Sequence, residues 1–290
     1  MTSEGKTYQG FTFERRDPGI GLIVFRHPER LNAMSFGTRR DVTELIQRSQ
    51  LDDSVRVIVI TGEGRGFVAG VNNTQAFAEP PTLTTDRAGG ARNAINLYGQ
   101  LVQFAQEPMR TIRRLDKMVI AAVNGYAIQL GLSIALASDF VIAARSAMLG
   151  SATLRMGLQP DEGGHWLLVE HLGVRRAMEF VMRRTLASAD EALRLGLVNE
   201  VVDDERLLDR ALELAHELAS GPQVAMRLLK PAIYNAPHVT FEQAGADIAA
   251  RAAISDYHED AAEGMEAFRS KRAPTFNAWL PGGEVGKGEG

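Results

Sequence analysis

The sequence predicts an α/β protein in which a strand-rich region, residues 1–205, is followed by an all-helical C-terminal region, residues 206–290. Three observations carry this. Short apolar runs of strand length, Leu22–Phe25, Val55–Ile60 and Met118–Val123, end at His-Pro, Gly or Asn-Gly. Segments with apolar residues every three or four positions separate these runs, so strand, helix and strand alternate. Beyond residue 205 only the helical spacing persists.

In chain order, Leu22–Phe25 is a strand closed by His27-Pro28, because proline opens a loop rather than continuing a ladder. Helical spacing starts at Ser35, with Val42, Leu45 and Ile46 on the core face and Arg39, Arg40 and Glu44 placed off it. Val55–Ile60 is nearly unbroken in apolar character, as in a strand covered on both faces. The glycines at 62, 64, 66 and 70 make the next segment a loop, and their spacing matches no dinucleotide or phosphate-loop pattern. Residues 80–90, PPTLTTDRAGG, read as loop, and a helix follows through Leu97, Leu101, Val102 and Phe104. Met118–Val123 breaks at Asn124-Gly125, recovers, and passes through Gln129-Leu130-Gly131 into an apolar helix ending at Ser138-Asp139. Ser188 and Glu191 form a capping-box pattern. Leu207, Leu208, Ala211, Leu212, Ala215 and Leu218 line one face of a helix over 206–219, and the remainder is helical with a break at Pro231.

Composition narrows the function classes. The 290 residues are 45% hydrophobic, enough for one large core, and 32 basic against 36 acidic side chains argue against a general nucleic-acid binder. The absence of cysteine removes disulfides, thiol nucleophiles and thiolate metal sites. No apolar run approaches a membrane span or a signal segment, and the expectation is a cytoplasmic protein with no membrane partner. The histidines at 27, 165, 171, 216, 238 and 258 lack paired spacing, so no metal site is expected.

Two places in the central stretch carry chemistry. A strand that feeds a tight turn and then a helix leaves the first helical N–H groups without intrahelical partners, and such a turn holds an oxyanion. Asp161 and Glu162, in Gln159-Pro160-Asp161-Glu162-Gly163-Gly164, are adjacent carboxylates that serve either proton transfer or the capping of a helix that begins near Gly163. His165 and Trp166 follow directly and are candidates for the same pocket.

The runs VIAAVNGYA, ALASD, FVIAARSAM and PDEGG between 119 and 164 resemble the crotonase superfamily, the enoyl-CoA hydratases and isomerases. The likeness continues in PERLNAMS at 28–35, VIVITGEGRGFVAGV at 57–71, ASADEALRLGLVNEVV at 187–202 and EGMEAFRSKRAPTF at 263–276. The resemblance implies a spiral of ββα turns over 1–205, C-terminal helices that mediate a homotrimer or homohexamer, and an acyl-CoA thioester as substrate, coenzyme A being part of that substrate rather than a separate cofactor. It places the oxyanion donors at the Val71 and Leu130 amides. It also implies CoA contacts from Arg30, Asn32 and Ala33, from the loop of Ala69, Val71 and Asn73, and from Phe268 and Lys271, with Ser133, Thr153, His165 and Trp166 around the acyl group.

The sequence departs from the family pattern at informative points. Gln129-Leu130-Gly131 stands where relatives usually have three glycines, and Ser133 and Thr153 stand where hydratases place two glutamates. Neither hydroxyl acts as a base near neutrality. The expectation is therefore an isomerase or lyase that works through an enolate, with Asp161 as the principal acid/base group and Glu162 as the alternative. A crotonase-fold C–C bond hydrolase acting on a diketone, and a catalytically silent binding protein, stand beside it.

Overall fold

The computed structural model describes residues 8–71 and 94–281. Among these described residues ten strands form two sheets. The larger has the order β1 (Phe11–Arg16), β2 (Ile20–Phe25), β3 (Val57–Gly62), β5 (Met118–Val123), β7 (Phe140–Ala144), β10 (Glu200–Val202). The smaller has the order β4 (Gly66–Ala69), β6 (Tyr126–Ile128), β8 (Met148–Gly150), β9 (Leu186–Ser188). Apart from the antiparallel pairs β1–β2 and β8–β9, neighbouring strands run parallel. The pairs β3–β4, β5–β6 and β7–β8 each lay one strand in the larger sheet and the next in the smaller before a helix carries the chain onward. This is the ββα spiral that the sequence resemblance implies.

The parallel strands are covered on both faces, which is why they read as continuous apolar runs. Residues 57–61 and 119–123 are buried throughout. Helix α1 (Phe36–Ser49) starts at Ser35, whose hydroxyl accepts the Thr38 N–H. Its buried stripe contains Arg39 as well as Val42 and Ile46, so Arg39 is not on the outer face that the sequence analysis assigned to it. Residues 39, 42, 43 and 46 follow helical spacing, and the guanidinium lies 4.4 Å from the Phe36 ring centroid, which makes its burial tolerable. Helix α2 (Ala94–Gln100) runs into a π-helical segment, Leu101–Ala105, and then α3 (Glu107–Arg114).

The division at residue 205 separates strands from helices but does not end the core. Among the C-terminal helices, α7 (Leu207–Ser220) lies on the larger sheet, with Leu207, Ala211, Ala215 and Ala219 buried, whereas Leu208 is on its outer side. Helix α8 (Gln223–Asn235) runs through Pro231 without breaking, contrary to the sequence expectation. Side chains on either side of that proline pin the helix to the sheet. Lys230 Nζ donates to Asp139 Oδ2 at 2.7 Å and to the Lys117 carbonyl, and the Tyr234 hydroxyl donates to Asp139 Oδ1 at 2.7 Å. Tertiary anchoring here outweighs the missing proline N–H. Helices α9 (Phe241–Asp256) and α10 (Glu259–Arg269) complete the chain, and α9 buries none of its residues.

Candidate active site

The two expected oxyanion donors leave the C-terminal ends of adjacent parallel strands. Ala69 at the end of β4 pairs with Ile128 at the end of β6, so Val71 and Leu130 each lie two residues past a paired position. Neighbouring strands are about 4.8 Å apart, which brings the two backbones within reach of one oxygen atom. Leu130 is the first residue of helix α4 (Leu130–Ala137), and the first intrahelical acceptor, the Gln129 carbonyl, is taken by the Ser133 N–H at 2.9 Å. The Leu130 N–H therefore has no acceptor inside its own helix. Val71 forms a parallel bridge to Met34, in which the Met34 N–H donates to the Gly70 carbonyl, so the Val71 N–H is turned away from that pairing.

Only one of the three turn positions needs glycine for space. A Cβ on Gly131 would lie 2.0 Å from the Val68 carbonyl oxygen, so the helix can approach β4 only with glycine there. The Leu130 side chain is fully buried in the core and does not enter the site. Strain falls on Gln129, at φ 53° and ψ −96°, a conformation that costs a non-glycine residue about 1–3 kcal/mol. Its side chain is buried and bonded. Oε1 accepts from Ser151 Oγ and the Ala152 N–H at 3.1 Å and from Thr153 Oγ1 at 3.3 Å, while Nε2 donates to Glu162 Oε2 at 3.0 Å.

The carboxylate pair sits on the loop before α5 (Gly164–Met182). Gly163, at φ 89°, is the N-cap of that helix and no side chain caps it, so Asp161 is not consumed as a cap. The turn buries Glu162, 2% exposed, and leaves Asp161 half-buried. Burial, reinforced by the neighbouring Asp161 charge, pushes the Glu162 carboxyl up to about 7, and the bond from Gln129 opposes that rise. The sequence analysis placed Asp161 first. The inward-facing carboxyl in the neutral range is that of Glu162.

Two further residues support the pair. Gln106 Nε2 donates to the Asp161 carbonyl at 3.2 Å and is itself held by Arg110, whose Nη2 donates to Gln106 Oε1 at 2.7 Å. Arg39 is 4% exposed with Nε unpaired; burial lowers its pKa, and the charges of Asp161 and Glu162 oppose that fall. The spacing of 39 with 42 and 46 was the signal for Arg39. For Gln106 the sequence carries none.

The other expected site residues divide. Asn32 is buried, but its amide is spent on structure: Nδ2 donates to the Glu63 and Gly66 carbonyls and Oδ1 accepts the His27 N–H. The segment Arg30 to Ala33 nevertheless lies against the Ala69–Val71 loop, because the Ala69 N–H donates to the Leu31 carbonyl. Ser133 is fully buried, its hydroxyl bonds the Gln129 carbonyl at 3.0 Å, and Gly164 packs so close that a Cβ there would meet Ser133 Oγ at 2.5 Å. It does not line an acyl pocket. Thr153 is partly exposed beside Gln129.

His165 and Trp166 are exposed, and the Trp166 ring stacks on His238 at 6.1 Å rather than on the carboxylate pair. The start of α5 turns them outward because Leu167 and Leu168 take the core positions. Phe268 is 86% exposed and lines a cavity of about 560 Å³ with Val224, Met265 and Phe276, formed by the C-terminal helices; Lys271 is exposed just beyond. Asn73 lies outside the described residues. Among the described residues no group of three or more His, Cys, Asp or Glu is placed to hold a metal, and no helix is long and apolar enough to cross a membrane.

A sequence profile described as Enoyl-CoA hydratase/isomerase matches residues 15–278. A 1,2-epoxyphenylacetyl-CoA isomerase from Escherichia coli K12 is 35% identical over 92% of this chain and 98% of its own. A crotonyl-CoA hydratase from Syntrophomonas wolfei is 30% identical over 93% of this chain and 98% of its own. Among solved structures, a putative enoyl-CoA hydratase from Streptomyces coelicolor superposes with a TM-score of 0.84 at 29% identity, covering 96% of this chain and 98% of that one.

Proposed function

The chain belongs to the enoyl-CoA hydratase/isomerase family, and from that premise we propose that it moves a proton on an acyl-CoA thioester through an oxyanion-stabilised enolate, as an isomerase or lyase rather than a hydratase. In this reading the thioester carbonyl oxygen lies between the Val71 and Leu130 N–H groups. A base takes the proton from the α carbon, the electron pair moves into the C–O bond, and the two N–H donors meet the charge on oxygen. Each donor of this kind is worth about 3–4 kcal/mol of barrier. Where a β,γ double bond extends the enolate, collapse takes the proton back from the protonated base at the γ carbon; where the β carbon carries a leaving group, collapse expels it and forms the α,β double bond.

The single observation that carries the proposal is the position of Glu162. It is a buried carboxyl in the neutral range, one side-chain bond away from the residue that precedes the Leu130 donor. A general base works best with a pKa near the operating pH. Asp161, adjacent and half-buried, is its partner, and its charge adds to burial in raising the Glu162 carboxyl. Hydration is disfavoured by what occupies the two positions where hydratases carry glutamate. The Ser133 hydroxyl is closed off beneath Gly164, and the Thr153 hydroxyl is bonded to Gln129, so no second carboxylate faces a water there.

Exchange of thioester α protons in ²H₂O, read by mass spectrometry over a panel of acyl-CoA substrates, tests this. Wild type is expected to exchange at least one of them, and Glu162→Gln to slow that exchange by about 10²-fold or more. Exchange undiminished in both Glu162→Gln and Asp161→Asn would remove the carboxylate pair from the chemistry and assign the base to another residue, and no exchange by wild type on any substrate would return the chain to a binding role.

A further inference from the structure

We propose that Gln129 is a positioning residue for Glu162, its carboxamide wedged between the Ser151–Thr153 segment and the Glu162 carboxyl so that this carboxyl is held in place for proton transfer. The inference rests on the proton-transfer reading of the site and adds a residue to it that touches no substrate.

The first support is backbone strain. At φ 53° and ψ −96° glycine is the undemanding choice, yet a glutamine stands there, fully engaged. Its backbone N–H donates to the Gly150 carbonyl at 2.9 Å, and its own carbonyl accepts from both the N–H and the hydroxyl of Ser133. A strained residue persists when its surroundings over-determine it, and such residues cluster where geometry matters to function.

The second support is that the orientation of the amide is fixed. Backbone N–H groups only donate, and the Ala152 N–H lies 3.1 Å from one terminal atom of the Gln129 side chain, so that atom is Oε1. Nε2 must then face Glu162, 3.0 Å from Oε2. A carboxyl that is 2% exposed is not held by solvent, and this amide supplies a fixed partner for it. The bond also favours the ionised carboxylate, against the upward push of burial and of Asp161, and so keeps Glu162 usable as a base near neutrality. The groups facing Glu162 are thus Asp161 on its own loop, Arg39 from α1, and Gln129 from the β6–α4 turn.

Direct titration of Glu162 by NMR in protein labelled with ¹³C glutamate is the test, with α-proton exchange of butyryl-CoA in ²H₂O as the kinetic readout. Gln129→Met keeps the volume and the exclusion of water but removes the donor. It is expected to move the Glu162 titration upward by about one pH unit, with the acid limb of the exchange profile following. Gln129→Gly suits the backbone conformation and is the variant that folds in any event. It is expected to lower kcat by about tenfold or more while KM stays within about twofold. A Gln129→Met titration within about 0.3 unit of wild type, or a Gln129→Gly kcat equal to wild type, overturns the proposal and leaves Gln129 as a packing residue. Glu162→Gln separates the two claims. If it exchanges as fast as wild type, Glu162 is not the base and the assignment on which the positioning role rests fails; if it is inactive while both Gln129 variants behave as wild type, only the positioning role fails.

Discussion

Replacing Glu162 by glutamine should stabilise the protein in alkaline solution while it disables the site. The Glu162 carboxyl is pushed from an ordinary 4.5 to about 7, chiefly by burial and then by Asp161. A group whose folded pKa is raised gives stability that is complete below its unfolded value and is lost as pH rises through the folded one. The relevant window is therefore about pH 4.5 to somewhat above 7. Each pH unit of displacement corresponds to about 1.4 kcal/mol, so the ionised form costs the fold roughly 3 kcal/mol above that window. Glutamine copies the neutral acid and has no such cost. Thermal or urea unfolding of wild type and Glu162→Gln should give near-equal stability at about pH 5 and a variant more stable by about 3 kcal/mol at about pH 8.5, several degrees in Tm for a chain of this size. Comparing the two proteins cancels the titrating groups that do not interact with residue 162. A stability difference that does not change between those pH values would refute the assignment of a raised, buried carboxyl to Glu162.

Other outcomes follow from the same geometry. Gly131→Ala would put a Cβ 2.0 Å from the Val68 carbonyl oxygen and drive α4 from β4, displacing the Leu130 donor; a loss of about 10²–10³ in kcat is expected, with a fall in Tm. Crotonyl-CoA hydration, followed by loss of the enoyl thioester absorbance, should run about 10²-fold or more below that of an enzyme with two glutamates, since Ser133 and Thr153 supply no base. Lys230→Met leaves Asp139 buried without its cation and should cost about 3 kcal/mol in urea unfolding, because that pair, with Tyr234, fastens α8 to the sheet.

The sequence made the fold legible wherever one physical cue dominated. Continuous apolar runs marked the strands covered on both faces, helical spacing marked the start of α1 at Ser35, and Ser188 announced its helix by capping it, accepting the Glu191 N–H. Cues failed where tertiary contacts overruled local ones. Pro231 reads as a break, but Lys230 and Tyr234 hold the helix across it through Asp139. Arg39 reads as surface by its charge, yet its spacing from Val42 and Ile46 puts it on the buried stripe, where Phe36 and the two carboxylates receive it.

At the site, the donor positions and the Asp161-Glu162 pair were visible as motifs. Which carboxyl faces inward was not, because that depends on the positive φ of Gly163 two residues after Asp161. In the sequence Gln129 stood out only as a departure from the family's three glycines. Its role depends on four acceptor and donor contacts to residues 22 to 33 positions away, which no local pattern records.

A crystal structure of the protein with an unreactive acyl-CoA analogue bears most directly on the central claim that one oxyanion is held between two strand ends. The account predicts the carbonyl oxygen within about 3.1 Å of both the Val71 and the Leu130 nitrogens, with the Glu162 carboxyl turned toward the α carbon. An analogue bound with its carbonyl away from the Leu130 N–H, or with Glu162 on the far side of the acyl chain, would contradict it.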